Sequence, residues 1–187
     1  MGLINDQDFT LTFSNKRRKA MKKTLIMLFI SFIFTFIIGT AGYAEMAKEG
    51  TSTSTQAFSG TYKIIAMEQE RIHMIYEMYG PTISDIDTDP LHNSTFRCLG
   101  ALHAVKGAVN DSGFCVNTLP NGDKAYETYK GTGELGGGSK GTYTWTGGTG
   151  KIAGIEGGGE YTVIELPPAA EGTFQGYSKL INQWKVP

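Results

Sequence analysis

Between Gly131 and Gly159 the chain reads GTGELGGGSKGTYTWTGGTGKIAGIEGGG. Glycine this dense destabilises a helix interior and marks turns, bulges and close backbone approach. The stretch therefore excludes a helical core here and leaves strands and tight corners. The sequence before and after it agrees. From Phe58 onward, short runs rich in Tyr, Thr, Val and Ile alternate with turn signals, and no window shows helical spacing flanked by caps.

The strand-like runs are Thr61–Glu68, Arg71–Tyr79, Thr95–Val105, Gly113–Leu119, Lys124–Lys130, Lys140–Thr146, Gly159–Leu166 and Thr173–Val186. Alternation assigns faces within them. Ile72, Met74, Tyr76 and Met78 share one side. Phe96, Cys98, Gly100, Leu102 and Ala104 share another, as do Tyr143 with Trp145, and Phe174, Gly176, Ser178, Leu180, Asn182 and Trp184. Lys106-Gly107, Asn110–Gly113 and Pro120–Asp123 carry turn chemistry, and Ser84–Asn93 is an acidic, proline-bearing loop. About eight strands with short connections predict an all-β fold. A sheet closed into an antiparallel barrel removes exposed edges; an open sandwich is the alternative.

The N-terminus has a different character. Lys16–Lys23 holds a basic block, Leu25–Ile38 is an uncharged apolar run, and Gly42-Tyr43-Ala44 offers small side chains before a cut after Ala44. That is the layout of a secretory signal peptide, with a permanent membrane anchor as the competing reading. A span needs roughly 20 apolar residues, more than this run provides. Residues 1–20 are an upstream extension or a mis-assigned start, 21–44 the signal peptide, 45–57 a flexible Ser/Thr-rich lead-in, and 58–187 the barrel domain. The expected location is outside the cytoplasm, periplasmic or secreted, with membrane contact only during export. The basic block leaves with the signal peptide, so the remainder is net acidic. An acidic surface argues against nucleic acid as partner.

Cys98 and Cys115 then remain as an even pair. In an exported chain that pattern suggests a disulfide, against the alternative of two buried thiols. Closing a loop of about 17 residues would stabilise by roughly 3 kcal/mol.

Catalytic signals are sparse. Gly131–Gly136 satisfies G-x-G-x-x-G, but no helix follows. Gly147–Lys151 evokes a P-loop and fails on both sides, at Trp145 and Ile152. His73, His92 and His103 lack metal-ligand spacing. No metal site and no cofactor are expected. Strand carboxylates are Glu68, Glu77, Glu127, Glu160 and Glu165, and a buried one would have a raised pKa.

Gly147-Gly148-Thr149-Gly150-Lys151-Ile152-Ala153-Gly154, followed by Gly157, resembles the glycine signature of the dirigent and allene oxide cyclase families. Cys98…Gly113-Phe114-Cys115 with Asn121–Lys124 is similar to a bacterial exported family with the same barrel and no assigned activity. The resemblance implies an eight-stranded antiparallel barrel with a small cavity. It also implies that Gly147, Gly148, Gly150, Gly154 and Gly157 shape a turn at the rim, and it allows a homo-oligomer, trimer or dimer. Ile152 departs from the aromatic residue usual there, and the cysteine pair is foreign to the plant pattern.

The resulting expectation is a small hydrophobic ligand held in the barrel, with Tyr76, Tyr143 and Trp145 in its wall and the Asp85–His92 loop at its mouth. The alternatives are an isomerase or cyclase using His103, Glu127 and Tyr76, or a structural barrel without a ligand.

Overall fold

The structure, a computed structural model, describes residues 46–68 and 70–187. The signal-peptide reading falls on residues outside these. Eight strands follow in order: β1 Glu49–Glu68, β2 Arg71–Ser84, β3 Ser94–Val105, β4 Ala108–Thr118, β5 Lys124–Glu134, β6 Gly138–Gly148, β7 Glu156–Leu166 and β8 Thr173–Lys185. Each pairs antiparallel with its sequence neighbour, and β1 pairs with β8, so the sheet closes into a barrel. Among the described residues no helix is long and apolar enough to cross a membrane.

The segment expected as a flexible lead-in is instead strand. Thr51, Thr53 and Thr55 face outward, while Ser52, Ser54 and Gln56 are buried. Apolar periodicity is missing there because the surface this half-strand meets is itself polar. Asn182 donates to Ser52 Oγ and Ser54 Oγ at 3.0 Å and to Asp89 Oδ2 at 3.2 Å. Ser52 donates to Asp89 Oδ2 at 2.5 Å, and Tyr143 donates to Asn182 Oδ1 at 2.5 Å.

Asp89 belongs to the β2–β3 loop, and the loop closes this end of the barrel. Leu91 is 1 % exposed, and its N–H is held by Asp89 Oδ1 at 2.7 Å. The same end is packed with Leu119, Trp145, Ile152, Ile155, Trp184 and Val186. The loop expected at the mouth of the barrel is therefore its plug.

The glycine signature forms a corner at this closed end. Gly147, Gly150, Gly154 and Gly157 take positive φ, at 145°, 56°, 76° and 109°. A short 3-10 turn, Gly150–Ile152, drives Ile152 into the core at 0 % exposure. The corner is tied to the β4–β5 turn: Lys151 N–H donates to Asp123 Oδ2 at 2.9 Å, and Lys124 N–H donates to Thr149 Oγ1 at 2.8 Å.

Inside the barrel, glycines make room for tyrosines. Tyr76, Gly100, Gly113 and Tyr129 stand opposite one another on β2, β3, β4 and β5. The two tyrosines lean over the two glycines until their hydroxyls meet at 2.6 Å. A second row repeats the device: Asp111, Gly131, Gly141 and Tyr161 on β4, β5, β6 and β7. Cys98 and Cys115 are register partners on β3 and β4 and form a disulfide whose side chains point inward.

A Cβ at Gly113 would collide with the Tyr129 side chain and the Leu99 carbonyl. Gly113→Ala is expected to lower stability by about 1–3 kcal/mol, read as a lower midpoint in urea unfolding at unchanged slope.

Candidate functional site

The closed end leaves the other end free, and an apolar cavity of about 360 Å³ runs inward from it. That volume lies at the small end of the range for ligand pockets. The mouth is formed by the ends of the β1–β2, β3–β4, β5–β6 and β7–β8 hairpins. Ile64, Ile72, Met74, Leu102, Leu135 and Leu166 line it. Several of these are unusually open for their size: Ile64 is 51 % exposed and Leu135 50 %.

Deeper in, the wall becomes aromatic and then polar. Phe174 packs edge-on against Tyr76 at 5.8 Å between ring centroids. Tyr129 meets Tyr161 edge-on at 6.1 Å. Tyr76 also donates to Asp111 Oδ2 at 3.4 Å. Burial in this low-dielectric interior pushes the hydroxyls of Tyr76, Tyr129, Tyr143 and Tyr161 well above the usual phenol value. All four are neutral donors at physiological pH. Burial likewise raises the Asp111 carboxyl, against the hydrogen bond from Tyr76 that lowers it.

Glu127 lies on the cavity floor, opposite Cys115 in register and within 4.8 Å of both disulfide sulfurs. It is 5 % exposed. Desolvation pushes its carboxyl up to about 7, with Asn117 pulling weakly the other way. Among the described residues, Glu127 Oε2 and both Asn117 amide atoms nevertheless have no hydrogen-bond partner. Gln56 Nε2, Asp111 Oδ1 and Tyr161 OH are also buried without one. Buried polar groups are normally satisfied, so a cavity lined by four such atoms is chemically set up for a polar group. The sulfurs beside Glu127 are bridged and offer no thiolate to a metal ion.

The residues singled out in the sequence are distributed unevenly. Tyr76, Glu127 and Tyr143 line the cavity, as do Cys98 and Cys115. Trp145 is buried beyond it, stacked edge-on against Tyr143 at 5.2 Å and donating Nε1–H to Gln183 O at 3.1 Å. His103 faces outward, because its neighbours Leu102 and Ala104 take the inward positions of β3. Its ring lies 6.0 Å from that of its cross-strand partner His73. Asp111, Tyr129, Tyr161 and Gln56 were not anticipated. The parity Val109, Asp111, Gly113, Cys115, Asn117 along β4 carries the signal for Asp111.

No family model and no curated protein matches the sequence. Among solved structures, the chain is similar to a pterocarpan synthase dirigent protein, at 11 % identity and a TM-score of 0.46. The match covers 79 % of this chain and 100 % of that one.

The raised Glu127 value has a consequence for stability. The group ordinarily titrates near 4.5 and here at about 7, so the folded state holds the proton more tightly than the unfolded chain. Its contribution is fully present below about pH 4.5 and is lost as pH rises through about 7, a change on the order of 3 kcal/mol. Glu127→Gln removes that dependence. The stability difference between the variant and the parent, measured by urea unfolding at about pH 4 and about pH 8, should shift in the variant's favour at the higher pH.

Proposed function

We propose that the protein is exported and binds one small hydrophobic molecule inside its barrel. The observation that carries this reading is the one-ended cavity: apolar and aromatic along its walls, open at an apolar rim, and finished by buried polar atoms without partners. A barrel interior serving only as a core would be filled by its own side chains. Here a plugged end supplies the packing, and the other end is left hollow. The disulfide is compatible with an oxidising compartment.

Apolar burial would drive association, at about 25 cal/mol per Å² of surface removed from water. The floor would select the ligand's orientation, since a polar end left in the apolar rim would forgo Glu127, Gln56 and Tyr161.

An isomerase or cyclase is the second reading, and one observation favours it. Glu127 titrates at about 7 inside the cavity, the range in which a carboxyl serves as general acid or base at physiological pH. Tyr76 and Tyr129, whose hydroxyls meet at 2.6 Å, would position a substrate beside it.

Binding is tested by native mass spectrometry of protein purified from its own host, and by calorimetric titration with single-chain apolar compounds. The expected result is one bound ligand per barrel. Leu102→Trp, which fills the mouth, should weaken binding by about tenfold or more without unfolding the protein. An absence of co-purifying and titrated ligands alike would leave the barrel as a structural unit.

A further inference from the structure

The charge on the cavity lining is one-sided. Among the described residues that line it, the ionisable groups are Asp111, Glu127, Glu134 and Glu165 together with tyrosines, and there is no lysine, arginine or histidine. Glu134 and Glu165 lie on the strand ends at the open rim, Asp111 midway, and Glu127 at the floor. Both interior carboxylates keep a buried oxygen with no partner, Glu127 Oε2 and Asp111 Oδ1. Among the described residues lining the cavity, neither has a cationic neighbour. Their surroundings are tyrosines: Tyr76, whose hydroxyl donates to Asp111 Oδ2, with Tyr129 and Tyr161 around Asp111, and Tyr143 near Glu127.

Resting on the binding function proposed above, we propose that the ligand is a lipophilic organic cation, an alkyl- or arylalkylamine whose ammonium group is taken by Glu127 or Asp111. Charge selects among amphiphiles of equal length. A fatty acid would bring a third carboxylate into a desolvated site that already holds two and has no cation to offset them, so it enters only by taking up a proton. An alcohol can accept or donate one hydrogen bond but leaves the carboxylate charge unmatched. An ammonium group donates charge-assisted hydrogen bonds to the free carboxylate oxygens. Pairing also removes the desolvation cost that Glu127 bears in the empty barrel. Glu134 and Glu165 on the lining at the mouth favour a cation over an anion there, more strongly at low salt.

The test uses three probes of one chain length, decylamine, decanol and decanoate, titrated calorimetrically into the protein at about pH 8, where Glu127 is ionised. The expected order is amine tightest by about tenfold or more, alcohol next, and acid weakest. Glu127→Gln and Asp111→Asn are near-isosteric and remove one charge each. At least one of them should abolish the amine's advantage over decanol measured on the same variant. Acid or alcohol binding as tightly as amine overturns the proposal and leaves the hydrophobic-ligand reading standing. The same holds if the amine's advantage survives in both variants and in the double variant. If none of the three probes binds, the amine proposal is overturned, and the hydrophobic-ligand reading is decided by native mass spectrometry of the protein from its own host. Urea unfolding of each variant shows whether a loss of binding follows from a loss of fold.

Discussion

The pairing of β1 with β8 governs everything inside this molecule. β1 is long because it serves two partners in series: Glu49–Thr61 runs against β8, and Ser54–Glu68 runs against β2. Without the first pairing, β1 and β8 would be exposed sheet edges, open to other chains. The inward faces would then line a trough open to water, and the desolvation that raises Glu127 and the buried tyrosines would vanish. The polar first half of β1 can take this role because the surface that it buries is the Asn182–Asp89 network, where hydroxyl and amide groups satisfy one another.

The two ends of the barrel solve different problems. At the closed end, the β2–β3 loop, the glycine corner and the C-terminal residues supply Leu91, Ile152, Ile155 and Val186, enough apolar volume to make a conventional core. At the open end, large apolar side chains face water and one another without filling the space. Such an arrangement is stable only if the closed end, the disulfide and the strand ladder hold the barrel by themselves. The cavity is thus a consequence of where the core was placed.

Much of the barrel is legible in the sequence, because period-two patterning survives wherever the buried face is apolar. The inward sets of β2, β3, β6 and β8 follow directly from it. It fails where burial is polar. The Ser52–Ser54–Gln56 face carries no hydrophobic signal, so the strand reads as a lead-in. Of the two turn signals here, Lys106–Gly107 is the turn, both residues taking positive φ, while Asn110–Gly113, read as a turn because Asn, Asp, Ser and Gly dominate turns, lies within β4. Asp111 is hidden for that reason. Glu127 can be picked out among strand acids, but its inward direction follows only from pairing with Cys115. His103 attracts attention as a histidine, yet strand parity alone, with Leu102 and Ala104 inward, turns it outward. The deep end also misleads: Trp145 shares a face with Tyr143 but lies below the cavity floor.

The glycines in mid-strand need a reason beyond curvature. Gly100, Gly113, Gly131 and Gly141 each occupy an inward position, and each would clash with a tyrosine hydroxyl if given a Cβ. A chain selected for stability alone would place alanine or valine there and let aliphatic side chains fill the interior, gaining packing and losing none of the sheet. This chain instead gives up strand propensity at four positions to accommodate phenols, and leaves a carboxylate desolvated beside them. Local choices that work against stability concentrate at functional sites. Here they fall together, around one cavity and on one set of strands. The four glycines fall on β3, β4, β5 and β6, while β1, β2 and β8 supply Phe58, Ile64, Ile72, Met74, Phe174 and Leu180 to the apolar wall. On the proposed binding function, the carboxylates of β4 and β5 would meet a ligand's polar group, and the apolar wall of β1, β2 and β8 would hold its hydrocarbon.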